Sequence, residues 1–405
     1  MTDIRIGIAG LGAASTLVMP YLSQVAGVRL GAAADIRAEA RAAFTRAHGL
    51  PAFAEVAELC RSDLVDAIWI ETPNHLHCEH AVTAAEHGKH VICAKPIAIS
   101  LEQCDRMIAA AARAGTLLIQ GHSKVFDPPI RAMREVVASG RLGAVTQVNS
   151  WLFNDWLRRP RLAMELDPAL GGGLALRQAP HLVDICNSII GRPARSVRAW
   201  AGSCAPGFAT ESHLHAVVSY DGGATAAFTI DGSGYFDVTE LTFGIDGLGR
   251  QRDPAARPRL SPRAGPLSET EKYGQAFREA PPQARRQGDR QPFFGLTLVS
   301  CERGAIRQSP DGLYLYDDAG RHEIAVAPYR GRAAELIELR EALAQRRPAF
   351  PDGAWGKATL EVCLAMRDSA AQGREVALHH QPTSPPPTAS PAAMVAREGH
   401  REEPR

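Results

Sequence analysis

The first 120 residues alternate short β-rich runs with helix-like stretches, and this alternation constrains the fold more than any other feature of the chain. Strands are expected over Ile4–Ala9, Val28–Ala34, Ala67–Ile70, His90–Cys93 and Leu117–Gln120. Helices are expected between them over Ala13–Val25, Ala38–His48 and Cys78–His87, the last ending at Gly88. A further helix opens on the capping box Ser100-x-x-Gln103 and closes at Gly115. Strands separated by helices need crossover connections rather than hairpins, and the result is a doubly wound parallel sheet.

After Gly121 the pattern changes. A helix over Pro129–Ser139 leads into expected strands over Val145–Phe153, Ser196–Ala201, His213–Tyr220 and Ala224–Ile230, interrupted by a helix near His181–Ile190. Strands return near Gly295–Val299 and Leu313–Tyr316, and helices over Ala333–Ala344 and Ala358–Ala371 follow. The expected fold is therefore α/β, an N-terminal Rossmann sheet plus a C-terminal α/β domain with a large, mostly antiparallel open sheet. At 405 residues the chain exceeds what one core usually supports. The expected division is a dinucleotide-binding domain over 1–122, a substrate-binding and oligomerisation domain over 123–380, and a tail over 381–405. Residues 250–291, rich in Pro and Arg, read as a long loop or lid.

Charge and composition exclude several classes of partner. A net charge of +1 gives no general attraction to nucleic acid or to anionic membranes. The longest uncharged stretch, Ile6 to Val28, is broken by Gly10, Gly12, Ser15, Pro20 and Gln24, so no membrane span is expected. Asp3 and Arg5 fall where the apolar part of a secretory signal would begin. The eight cysteines include no Cys-x-x-Cys pair and read as reduced thiols of a cytoplasmic protein, with no metal site expected.

Gly10-Leu11-Gly12-Ala13-Ala14-Ser15 lies between the first strand and the first helix. Gly10 permits the tight turn, and Gly12, Ala13 and Ala14 let backbone approach a pyrophosphate. Asp35 ends the second strand, where a carboxylate can accept from the adenosine ribose hydroxyls, although it could equally cap a helix. The carboxylate favours NAD, and Arg37 two residues later leaves NADP open.

Three further segments carry a family resemblance: Thr72-Pro73-Asn74-His75-Leu76-His77, Ala94-Lys95-Pro96, and Gly171-Gly172-Gly173 followed by His181 and Asp184. With the glycine loop, their order and spacing resemble the Gfo/Idh/MocA oxidoreductases over nearly all of the chain up to about residue 380. A narrower likeness, carried by His122–Gly143, the Trp156–Asp167 stretch with its Arg-Pro-Arg, residues 301–312 and Trp355–Cys363, is to cis-dihydrodiol dehydrogenases such as the phthalate 4,5-dihydrodiol subgroup. The resemblance implies hydride transfer from a cyclic diol to nicotinamide by a homo-oligomer, with Thr72, Asn74 and His77 near the cofactor. The chain departs from the family where Ala94 replaces the Glu of Glu-Lys-Pro. Arg177 stands where the family has Asp, or the subgroup Asn, and Arg158 replaces the subgroup's Tyr.

Oxidising an alcohol by hydride transfer needs a base for the hydroxyl proton. Lys95, at a strand's C-terminal end, and His181, near a helix N-terminus behind Pro180, are the candidates. Asp184, three residues on, is expected to orient the ring or bond a substrate hydroxyl. Arg177, with Arg158, Arg159 and Arg161, suggests a carboxylated small-molecule substrate, since a guanidinium grips carboxylates with two prongs. A sugar or inositol dehydrogenase, a glycosidase that oxidises its sugar transiently with NAD, and a catalytically altered NAD-binding protein remain as alternatives.

Overall fold

The structure is a computed structural model that describes residues 3–121, 123–159, 161–203, 210–253, 290–328 and 331–382. Most of the expected loop over 250–291, and the expected tail from residue 383, lie outside the described residues.

Six strands form the first sheet: β1 (Ile4–Ala9), β2 (Val28–Ala34), β3 (Ala52–Phe53), β4 (Ala67–Ile70), β5 (His90–Cys93) and β6 (Leu118–Gln120). All neighbours pair in parallel, in the order β3-β2-β1-β4-β5-β6. The order in which strands are added reverses between β1 and β4, and the crevice outside the carboxyl ends of such strands is where α/β sheets take ligands. Helices α1 (Met19–Leu22), α2 (Ala38–His48), α3 (Val56–Arg61), α4 (His77–Glu86) and α5 (Leu101–Ala114) connect them. Ser100 caps α5 by accepting from the Gln103 amide, and Gly115 ends it at φ +66°, as the sequence implies.

The helix expected over Ala13–Val25 is not continuous. It breaks into a 3₁₀ turn over Ser15–Leu17 and the single turn α1. Ser15 Oγ donates to the Gly12 carbonyl at 2.8 Å and Thr16 Oγ1 to that of Ala13 at 2.7 Å, bonds that compete with a helical ladder. Pro20 supplies no amide to repair the ladder.

Nine strands form the second sheet: β7 (Val145–Phe153), β8 (Ala194–Gly202), β9 (His213–Tyr220), β10 (Thr225–Asp231), β11 (Leu296–Cys301), β12 (Gly304–Gln308), β13 (Gly312–Asp317), β14 (Gly320–Ala325) and β15 (Val376–Ala377). Their order is β14-β13-β12-β11-β7-β10-β9-β8-β15, antiparallel except for β7 with β10. Helices α6 (Pro128–Ala138), α7 (Ala163–Leu166), α8 (Leu174–Arg177) and α9 (Ala179–Ile190) precede β8, and α10 (Ala333–Gln345) and α11 (Gly353–Gln372) follow β14. Alternate residues Val148, Leu152, Val218 and Phe228 are buried in one core with Leu182, Ile185 and Met366 of α9 and α11. The opposite face leaves Trp151, Trp200 and Leu298 exposed. Helix α10 instead puts Leu336 and Leu339 against Ile6, Ile8 and Trp69 of the first sheet. No described helix is long and apolar enough to cross a membrane.

The first sheet also depends on a close backbone approach at Gly31 in β2. A Cβ there would fall inside contact distance of the Leu64 carbonyl oxygen and beside the Val65 side chain. Gly31→Ala is expected to lose about 2–4 kcal/mol of stability, read as a lower urea midpoint at unchanged slope. An unchanged midpoint would show that the Leu64 turn yields freely.

Candidate active site

The crevice begins where β1 ends. Gly10 adopts φ +95°, and a Cβ there would stand 2.9 Å from the Glu71 carbonyl, so only glycine lets this loop lie against the loop after β4. The amides of Gly12, Ala13 and Ala14 donate to no acceptor among the described residues. Asp35, buried at the end of β2, accepts from the Leu11 amide at 2.8 Å. Arg37 folds back on the same carboxylate, its NH2 2.9 Å from Asp35 Oδ2. Open amides, a side-chain-free notch and a carboxylate at the second strand's end fit a dinucleotide. Asp35 makes no side-chain cap on α2, whose N-cap residue is Arg37.

The loop after β4 is braced from within. Thr72 Oγ1 lies 2.9 Å from His80 Nδ1. His77 is fully enclosed, with Nδ1 2.9 Å from the Pro96 carbonyl and Nε2 2.9 Å from that of Thr72. Burial pushes its pKa down to about 4. A neutral ring carries one N–H, so it donates to one of these carbonyls and merely faces the other. His77 is therefore a brace between two site loops and does not reach a cofactor as the sequence suggested. Asn74 Nδ2 donates to the Gly171 carbonyl at 2.8 Å, tying the first sheet's loop to the triple glycine instead of capping a helix.

Lys95 leaves the end of β5 and reaches across the crevice, its Nζ donating to the Arg177 carbonyl at 2.5 Å. Its pKa falls to about 7, chiefly through burial and then through the positive charges of Arg177, Arg332 and Arg161, with Cys363 acting weakly the other way. Arg177 NH1 lies 3.4 Å from Glu165 Oε1, and Arg161 NH1 lies 3.8 Å from the same oxygen. Glu165 also accepts from the Leu162 amide at 2.7 Å, closing the α7 turn between the two arginines. Arg161 lies over the Trp156 ring at 4.4 Å, and burial lowers its pKa to about 10.

The arginines separate into two groups. Arg161 and Arg177 belong to the Lys95 wall. Arg158 is turned toward the surface, bonding the Ser233 carbonyl and the exposed Tyr235 hydroxyl, both at 3.0 Å. Arg159 is exposed and pairs with Asp155 four residues back at 2.6 Å. Of the four arginines expected together, the structure brings only Arg161 and Arg177 to the Lys95 wall.

His181 is buried near the start of α9, its ring 4.3 Å from that of Phe294. Lys124 Nζ, paired with Asp127 at 3.0 Å, lies over the same Phe294 ring at 5.5 Å. Asp184 does not serve as the sequence suggested. It is 1% exposed, beyond reach of a substrate hydroxyl, and accepts from Ser123 Oγ at 2.6 Å, the Lys124 amide at 2.8 Å and Trp355 Nε1 at 2.5 Å. Burial raises its pKa against the pull of those donors. Asp184 thus locks α9, the turn after β6 and α11 together. Glu165, Lys124, Phe294 and Arg332 were not singled out in the sequence. Only Glu165 carried a signal, its position four residues after Arg161.

A Rossmann sheet of order 3-2-1-4-5-6, a dinucleotide cradle and a half-buried lysine beside the crevice define an NAD-binding oxidoreductase. Residues 4–122 match the family model described as "Oxidoreductase family, NAD-binding Rossmann fold", and residues 130–245 match the GFO/IDH/MocA C-terminal domain. The chain belongs to the Gfo/Idh/MocA family. It is 32% identical over 381 residues to the 1-carboxy-3-chloro-3,4-dihydroxycyclohexa-1,5-diene dehydrogenase of Comamonas testosteroni, covering 90% of this chain and 94% of that one. A solved Bordetella bronchiseptica structure, carried as a candidate dehydrogenase, is 36% identical at TM-score 0.85, covering 93% of this chain and all of that one. The Bordetella pertussis WlbA dehydrogenase, solved with NADH and UDP-GlcNAcA, shares the fold at TM-score 0.70 and 20% identity, over 94% of this chain and 98% of that one.

Asp184→Asn tests the lock. An amide must turn its NH2 toward at least one of the donors now met by oxygen, so stability should fall by about 2–4 kcal/mol in denaturant unfolding. A change under about 0.5 kcal/mol would mean that Asp184 does not hold these elements together.

Proposed function

We propose that this oxidoreductase takes a hydride from a cyclic, carboxylated cis-dihydrodiol or polyol, with Lys95 as the base and Arg177 and Arg161 as the carboxylate grip. The observation that carries this reading is the Lys95 amine, reaching the Arg177 carbonyl and held near a pKa of 7 by burial and by these same arginines. Bound NAD(P) supplies the hydride acceptor, held by Gly10, Gly12, Ala13, Ala14 and Asp35, with Thr72, Asn74 and Lys95 toward the nicotinamide end.

Above about pH 7 the amine is largely neutral and can take the hydroxyl proton while still donating to Arg177. Below that pH the ammonium only polarises the oxygen. His181, packed on Phe294, is the second proton carrier on the substrate side. Glu165 holds the two guanidinium groups together beside Lys95, where a substrate carboxylate would meet them. Ala94 removes the carboxylate that the family carries beside this lysine, and Arg177 adds a positive charge. Both changes favour the neutral amine.

The comparisons lend weight to the same substrate class, because the Comamonas testosteroni relative is named for a carboxylated cyclohexadiene diol. Residues 123–380 would supply the substrate pocket and, through the face bearing Trp151, Trp200 and Leu298, a contact between copies of the chain. The seven described cysteines are all free, in keeping with a cytoplasmic location.

Reduction of NAD at 340 nm, followed with candidate carboxylated dihydrodiols, is the direct assay. Lys95→Met should lower kcat by about 10²–10⁴-fold. The wild-type rate of oxidation should rise with pH through a limb near 7, as the neutral amine forms. Arg177→Gln should raise KM for a carboxylated diol while leaving that for a neutral polyol little changed. Equal effects on both substrates would remove the carboxylate grip from the account.

A further inference from the structure

We propose that Gln178, aimed by Asn154, is a positioning residue for Lys95: it shares the Arg177 carbonyl with the amine, a role that rests on the reading of Lys95 as the base. The Arg177 carbonyl accepts from Lys95 Nζ at 2.5 Å and from Gln178 Nε2 at 3.1 Å. A carbonyl oxygen has two lone pairs, and here both are engaged. Gln178 Oε1 in turn accepts from Asn154 Nδ2 at 3.1 Å, and Asn154 Oδ1 accepts from the Trp156 amide at 3.0 Å.

The direction of this chain is fixed at its far end. A backbone N–H can only donate, so Asn154 must turn its oxygen to Trp156 and its NH2 to Gln178. Gln178 then has only its own NH2 left for the Arg177 carbonyl. Both amide side chains stand on well-anchored backbone. Asn154 follows β7 and its amide donates to the Asp231 carbonyl at 2.9 Å, while Gln178 joins α8 to α9 and its amide donates to the Leu174 carbonyl at 2.8 Å.

The consequence falls on the charged form of the lysine. A neutral amine spends one N–H on the carbonyl and keeps its lone pair for a substrate hydroxyl. An ammonium has three N–H groups and no lone pair, and it gains most from an acceptor that it does not share. The Gln178 NH2, positive end foremost, weakens the hold of the carbonyl on the ammonium and so favours the neutral amine. The charges around Lys95 come from other elements: Arg177 on α8, Arg161 ahead of α7 and Arg332 ahead of α10, with the Cys363 thiol on α11. Glu165 pairs with the first two arginines and Glu335 with the third. Those groups set the field at the amine, and Gln178 sets how firmly its one protein acceptor binds it.

Titration of the Lys95 amine by NMR of its ε-carbon, on the full chain and without substrate, is the experiment. Gln178→Met removes the competing donor at similar volume, and the Lys95 midpoint should rise by at least about half a pH unit, which is about threefold in proton affinity. A merely structural role would lower the melting temperature and leave the midpoint in place. An unchanged or lower midpoint in a variant that melts cooperatively would overturn the role of Gln178 and leave Lys95 as the base. A wild-type midpoint at that of an ordinary lysine would overturn both. Should Gln178→Met not melt cooperatively, Asn154→Leu decides, because Gln178 then loses the partner that fixes its direction. The midpoint should again rise, and an unchanged or lower value would overturn the role of the chain.

Discussion

A single amine joined to a single carbonyl organises this molecule. Lys95 stands at the end of β5 in the parallel sheet and bonds the Arg177 carbonyl at the start of the second domain's helical layer. Everything that gives the lysine its chemistry follows from that reach. Crossing the crevice takes the amine into packed protein and beside Arg177 and Arg161, and a lysine in such company gives up its proton near neutrality. A lysine left pointing to solvent at the same strand end would remain an ammonium and be useless as a base.

The crossing needs two supports, one from each domain. On the first sheet, the Gly10 notch lets the loops after β1 and β4 lie together, and the enclosed His77 ring holds the Thr72 and Pro96 carbonyls at a fixed separation. On the second, Asp184 gathers Ser123, the Lys124 amide and Trp355, which fixes α9 against both the turn after β6 and α11. Asn74 bonded to Gly171 closes the join between the two halves. The polar groups that build the site are thus mostly engaged with protein rather than aimed at ligands. The departures from the family at Ala94 and Arg177 change the electrostatics of the lysine without disturbing this frame.

Much of the fold is legible in the sequence alone. The strands of the parallel sheet are mostly apolar runs bounded by turn residues, and β1, β2, β4 and β5 have the ends the pattern implies. The two-residue β3 and the six-residue α3 hold too few positions for a period to register, and β14 is exposed at nearly every position, so it shows no alternation. The Ala13–Val25 segment misled because its hydroxyls bond their own turn. Lys95 and Arg177 were legible as chemistry, but their bond spans 82 positions of sequence. Phe294 comes to His181 from more than 100 residues away, which no local pattern records. Asp184 was misread for a geometric reason. Three residues along a helix turn a side chain about 60° away, enough to aim it at α11 instead of at the His181 neighbourhood.

The proton affinity of Lys95 is the quantity on which the account stands, and it can be read directly. The chain has only five lysines, Lys89, Lys95, Lys124, Lys272 and Lys357, so a protein labelled with ¹³C at the lysine ε-carbon gives a spectrum simple enough to assign by substitution. Titrated in the absence of substrate, the resonance that disappears in Lys95→Met should move with a midpoint near pH 7. A midpoint close to that of an ordinary lysine, about 10.4, would contradict the account, because the amine would then be charged throughout the working range.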